Sequence, residues 1–378
     1  MRKVFGGGRV FDPRGGGLAA ADVAIEGGRI VDVGIDLDGD ERIDVGGKAL
    51  LPGLFDCHVH LALSTIDQWR LLQTPLSYRF YEAARNMRTT LGLGITTVRD
   101  AGGADLGMKQ AQADGLLAGP RLLISIRMLS QTGGHGDPWL PSGGEAPMFP
   151  PYPGSPDAVV DGPEQVRHKI RELVRDGADV IKVASSGGVL SARDDPRHPQ
   201  FGLDELTAMV DEAAATGRWV MAHAQSARGI KNALRAGVRS IEHGIYLDDE
   251  AIDLLLSHGA YLVATLVAPQ GVIDAAEQGA LIHEASLRKA REVVAIHRDS
   301  FSRAVKAGVK VAMGTDSPVT PHGQNLRELG LMVEGGLTAA QALTATTQSA
   351  AELTGLEDEL GTLEPGKRAD LVIVAGDP

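Results

Sequence analysis

Apolar and polar positions along this chain alternate between two periods. Short runs rich in β-branched residues occupy 54–60, 95–99, 121–125, 179–183, 218–223, 240–243, 261–265 and 310–316. Bounded by turn residues, each reads as a β-strand. Between them apolar residues recur at helical spacing, as in 164–176, with Val166, Ile170, Leu173 and Val174, and 204–216, with Leu206, Met209, Val210 and Ala213. Eight strand–helix repeats between residues 54 and 316 predict an α/β fold, a (β/α)8 TIM-type barrel. Its active site belongs at the C-terminal ends of the strands. A doubly wound open sheet is the alternative, and it fits less well because no glycine-rich phosphate fingerprint follows the first strand.

The ends of the chain follow another pattern. Val23–Glu26 and Arg29–Val33 are β-type segments set off by glycine pairs at 27–28 and 46–47, and the tail Gly366–Val374 reads as a turn and a further strand. Neither end can bury a core alone. Together they predict a small β-sandwich-like domain from residues 1–52 plus 362–378, beside a barrel domain spanning 53–361. Because the chain stops at Pro378 directly after that strand, the terminal sheet is expected to be incomplete or the chain truncated. Two long connections, 128–162 with Gly133-Gly134-His135-Gly136-Asp137 and 185–202 with Arg193-Asp194-Asp195, follow the third and fourth strands. They are expected to cover the barrel mouth and shape a substrate pocket.

Composition narrows the partner class. With 378 residues, 43% of them hydrophobic, the chain can bury a large core. A single cysteine excludes an internal disulfide, and no apolar leader or membrane-length segment is evident, so the expectation is a soluble cytoplasmic protein. The net charge of −12 argues against nucleic acid or an anionic membrane as partner. A small-molecule substrate is the default, and assembly into a homo-oligomer is left open.

The candidate chemistry starts at Phe55-Asp56-Cys57-His58-Val59-His60. On a strand His58 and His60 share a face about 7 Å apart, close enough to reach one metal ion. Lys182 lies in the fourth strand, His223 ends the fifth, His243 the sixth and Asp316 the eighth. Singly each is an ordinary polar residue; gathered at the ends of strands of one barrel they point to a metal site. Imidazole and carboxylate ligands without thiolate suit zinc first, with manganese or ferrous iron as alternatives.

Leu51-Pro52-Gly53-Leu54-Phe55-Asp56-Cys57-His58-Val59-His60, Ala222-His223-Ala224, Ile241-Glu242-His243-Gly244, Gly314-Thr315-Asp316-Ser317 and the closing Gly361–Leu371 resemble the amidohydrolase superfamily. Ile181–Gly188 and Thr132–Asp137 are similar to its binuclear branch of prolidase-like dipeptidases and metal-dependent carboxypeptidases. The resemblance implies two divalent metal ions. His58, His60 and Asp316 would hold the first, His223 and His243 the second. Lys182, carboxylated by CO2 to a carbamate, would bridge both. Burial and adjacent positive charge favour the neutral amine that this capture requires. A water bridging the two ions would be acidified to hydroxide and attack the carbonyl, while Asp316 carries its proton to the departing amine.

On that basis the expected activity is hydrolysis of the amide bond of a dipeptide or N-acyl amino acid. A cyclic amidohydrolase of the imidazolonepropionase type, or a lactonase, is the alternative on the same site. A non-enzymatic binding protein is a third reading, which metal analysis would separate. Substrate contacts are expected from Arg228, five residues past His223, and from Arg193, both aimed at a free carboxylate. His135 and Tyr246 are expected at the scissile carbonyl.

Overall fold

The computed structural model describes residues 1–15 and 17–378. The apolar run around Leu51 is divided between two sheets. Lys48–Pro52 pairs antiparallel with Leu371–Ala375 and parallel with Arg9–Asp12, whereas Leu54–Val59 pairs parallel with Ile95–Asp100. Gly53 is the junction: a Cβ there would lie 2.2 Å from Thr96 Oγ1, so a larger residue would force the Thr96 side chain or the strand to shift.

The ends of the chain build two four-stranded sheets. One runs in the order Arg29–Gly34, Asp22–Glu26, Lys3–Gly6, Glu41–Asp44, the other Leu371–Ala375, Lys48–Pro52, Arg9–Asp12, Gly17–Ala20. Val10, Val23, Ile30, Val45, Leu50 and Leu363 pack between them. Five of these strands have no counterpart in the periodicity, because most are four-residue segments too short for alternation to emerge from the glycines around them.

Between these ends the strands are parallel. Leu54–Val59, Ile95–Asp100 and Arg121–Ile124 form one sheet; Met128–Leu129, Ile181–Ala184, Val220–Ala224, Ser240–His243, Tyr261–Val263 and Lys310–Val311 form another. The third strand, expected over 121–125, runs Arg121–Ile124; the chain then turns at Ile126, which sits at φ 64°, and resumes as Met128–Leu129. Arg121–Ile124 pairs with Ile95–Asp100, whereas Met128–Leu129 pairs with Ile181–Ala184. Main-chain hydrogen bonds link the two sheets on both sides. Asp179 N donates to Ile124 O at 2.8 Å, Cys57 N to Met313 O at 2.8 Å and Asp316 N to His58 O at 2.7 Å.

The helices predicted at 164–176 and 204–216 run Gly162–Arg175 and Leu203–Ala214, burying Val166, Ile170 and Leu173 in the first and Leu206, Met209 and Ala213 in the second. Among the described residues, no helix is long and apolar enough to cross a membrane.

Candidate metal centre

All six residues of Leu54–Val59 are buried, and the strand delivers His58 and, at its end, His60 to a polar cluster. Asp56 fastens this end to the last parallel strand. Its carboxylate accepts from His58 N at 3.1 Å, Thr315 N at 3.1 Å, Thr315 Oγ1 at 2.7 Å and Asn325 Nδ2 at 2.9 Å. That network sets Asp316 opposite the histidines. Its Oδ1 lies 3.1 Å from His60 Nε2 and 3.5 Å from His58 Nε2, and ligand atoms of the three residues fall within 4.8 Å of one another. A divalent metal ion fits such a group.

From His58 the imidazoles continue as a chain: His58 to His243 at 5.0 Å between ring centroids, His243 to His223 at 4.7 Å, and His223 to His135 at 4.2 Å, the last pair stacked at 17°. His58, His60, His223 and His243 each have one ring nitrogen committed elsewhere. His60 Nδ1 meets Gly102 O at 2.9 Å and His223 Nε2 meets Gly187 O at 3.2 Å; a carbonyl only accepts, so these nitrogens carry the proton. His58 Nδ1 donates to Glu242 Oε2 at 2.8 Å, and His243 Nδ1 lies 2.7 Å from Thr265 Oγ1. The opposite nitrogens are left for ligation, the usual means by which outer groups orient metal-binding histidines.

The support behind His58 is wholly buried. Arg99 donates to both Glu242 oxygens at 2.9 and 3.0 Å, to Cys57 O at 2.7 Å and to Ser240 Oγ at 3.0 Å. Backbone conformation adds to the organisation: His243 ends its strand at φ 72°, and Thr265 and Asp316, in the segments that follow the next two strands, sit at φ 53° and 60°. Residues other than glycine adopt such angles at a cost, and they gather at functional sites.

Charge follows from burial. Desolvation, with nearby Lys182 among the positive groups, drives His58, His223 and His243 well below the ordinary imidazole value, leaving them in the neutral form that binds metal. Burial works to raise the Asp316 carboxyl, but the hydrogen bond and charge of His60, whose own value Asp316 raises in turn, help to hold it below its usual value. Lys182 is 1% exposed, and its Nζ has no hydrogen-bond partner among the described residues. Burial pushes its amine down to about 8.

These residues open into a cavity of about 420 Å³ that both long connections help to line. His58, His60, His135, Lys182, Arg193, His223, His243 and Asp316 all reach it. Arg228 and Tyr246 do not, which corrects the expected contacts. Ser226 caps the helix Ala227–Ala236, and Gly229 faces inward, where a Cβ would lie 2.4 Å from Ser185 O. Arg228, one residue earlier, is thereby turned to solvent. Tyr246 packs with the apolar group of Val189, Ile245 and Val272.

Two cavity residues carried no periodic signal. Arg127 follows the turn at Ile126, is 8% exposed and donates to Phe149 O. Gln225, two residues past His223, has a buried Oε1 without a hydrogen-bond partner among the described residues.

Comparison with known proteins gives a consistent picture. The model of the Amidohydrolase family matches residues 49–378. Ochratoxinase from Aspergillus niger is 37% identical over 344 residues, covering 87% of this chain and 70% of that protein. A prolidase solved in complex with N-methylphosphonate-L-proline superposes with a TM-score of 0.92 at 37% identity, covering 100% of this chain and 93% of the other. Imidazolonepropionase from Rhizorhabdus wittichii is 28% identical over 403 residues, covering 97% of this chain and 91% of that protein.

Proposed function

The chain belongs to the amidohydrolase family and is a hydrolytic enzyme acting on amide bonds, and we propose that it cleaves a dipeptide or N-acyl amino acid with two divalent metal ions. We read its parallel strands as one closed (β/α)8 barrel spanning 53–361, with a small β-domain from 1–52 plus 362–378 at its side. The hydrogen bonds joining the two sheets at Cys57–Met313 and Asp179–Ile124 support that reading.

One observation carries the metal assignment. Lys182 Nζ is buried without a hydrogen-bond partner among the described residues, its charge acts on His223 and His243, and those two histidines belong to no metal-sized group of three ligand-type residues among the described residues. Addition of CO2 to the neutral amine, with loss of a proton, gives an anionic carbamate and completes that ligand set. His58, His60 and Asp316 would hold one ion, His223 and His243 the other, and carboxylated Lys182 both; zinc suits these donors. When bound, such ions acidify water and polarise a carbonyl.

The remaining work falls to the chain. Asp316, beside both histidines of the first group, takes the proton of the attacking water and delivers it to the departing nitrogen. His135 faces the substrate from above His223 and contacts the scissile carbonyl. Arg193 and Arg127 are the cavity guanidiniums suited to a free carboxylate.

A hydrolysis screen over dipeptides and N-acyl amino acids, each beside its C-terminal amide, tests the proposal. Cleavage of the acids and not the amides is expected. Turnover of both alike would remove carboxylate recognition and favour the cyclic-amide or lactone reading, which the likeness to imidazolonepropionase supports.

A further inference from the structure

His135 is seated with unusual completeness for a loop residue. Its ring stacks on His223 on one side and lies over Gly188 on the other, where a Cβ would come within 2.3 Å of His135 Cε1. Its backbone N donates to Gln200 Oε1 at 2.9 Å. Its Nδ1 lies 3.0 Å from Asp194 Oδ2, an oxygen that also accepts from Gly188 N at 3.0 Å. With Nδ1 committed, Nε2 is the ring nitrogen left for a ligand in the cavity.

Asp194 is held in turn from another element. Lys289, on the helix Glu284–Ala307, is 4% exposed. Its ammonium donates to Gly188 O at 2.6 Å, Asp194 O at 3.0 Å and Ser191 O, and lies 3.3 Å from Asp194 Oδ1. Burying an ammonium is costly unless such acceptors surround it, and here they all come from the segment 188–194. One side chain thus gathers that segment, and its aspartate turns the His135 ring.

We propose that Lys289 and Asp194 are positioning residues that hold His135 against the substrate. Neither needs to touch substrate or metal. The proposal rests on the reading of His135 as a carbonyl contact, and it separates the segment 188–194 from loop that merely fills the mouth.

A double-mutant cycle on the metal-loaded enzyme, with an N-acetyl-L-amino acid as substrate, tests it. Lys289→Met and Asp194→Asn are each expected to lower kcat about 10- to 100-fold, with KM within threefold and metal content unchanged, as for loss of a transition-state contact. In a His135→Ala background the same changes should cost less than about threefold further, because the effect passes through a residue already removed. Equal losses in both backgrounds, or full activity of both single variants, would overturn the proposal. A second readout needs no turnover. Trypsin should cut after Arg193 at least tenfold faster in Lys289→Met, which leaves the cleavage sequence intact, than in the parent, and unchanged cleavage would contradict the clamp even if the substrate class is wrong. If Lys289→Met does not fold, Lys289→Gln takes its place in both arms.

Discussion

The two ends of the imidazole chain are built differently. At one end His58, His60 and Asp316 sit on adjoining strand ends and are tied down by core groups: Asp56 across to Thr315, and Glu242 with Arg99 behind His58. At the other end His223 and His243 belong to no metal-sized group of three ligand-type residues among the described residues, and His135 hydrogen-bonds to a loop aspartate that is met by a lysine from a distant helix. The first end is complete in its residues. Under the proposed function, the second is completed by carboxylation of Lys182 and by the seating of a loop.

The largest expected effect breaks the first end at its reacting group. Asp316→Asn should lower kcat by about a thousandfold or more while the fold survives, because an amide can still coordinate weakly but cannot carry the proton. Steady-state kinetics beside a thermal melt check this, and near-normal kcat with a full metal complement would exclude the proton-carrying role.

A smaller loss is expected one step behind the ligands. Glu242→Gln keeps the shape but leaves Arg99 without its counter-charge and weakens the acceptor for His58 Nδ1. Metal affinity at the first end should fall about 10- to 100-fold, the range typical of such supporting groups. Competition with a chelator measures it. An unchanged affinity would show that strand geometry alone orients His58.

Substrate recognition sharpens the comparison further. Arg127→Met is expected to raise KM about tenfold for an N-acyl amino acid with little change in kcat, whereas Arg228→Met should leave both within about twofold. A rise in KM for Arg228→Met would return that residue to the cavity.

The smallest effect lies away from the site. Glu328 accepts from Leu266 N at 2.8 Å and Val267 N at 2.9 Å, yet its burial outweighs these bonds and pushes the carboxyl up to about 8 from an ordinary 4.5. Between those values the folded chain keeps a proton that the unfolded chain releases, so this group lowers stability as pH rises through the window. Glu328→Gln cannot ionise. Relative to the parent, its Tm should gain about 2–4 °C between pH 5 and pH 8. A difference that stays flat with pH would show that the carboxylate is ionised in the fold.

The two ends also differ in how well they could be read from sequence. His58, His60 and Asp316 stand at the ends of apolar runs, and period-two alternation alone puts the two histidines on one face. Arg228 misled because counting from His223 does not say which side of a helix faces the cavity; the close packing of Gly229 decides it. Arg127 was hidden by the turn at Ile126, which no strand pattern encodes. Lys289 and Asp194 were illegible for a deeper reason. They meet across 95 residues, through carbonyl groups whose placement exists only once the loop has folded.

The central claim is that the second end is completed by carboxylated Lys182. Isotopic labelling reads this directly: metal-free protein is reconstituted with zinc in 13C-bicarbonate, and label is counted by 13C NMR against metal content. The account predicts one labelled carbamate and two metal ions per chain, and in Lys182→Ala no label and at least one ion lost. A full complement of two ions with no label would contradict it.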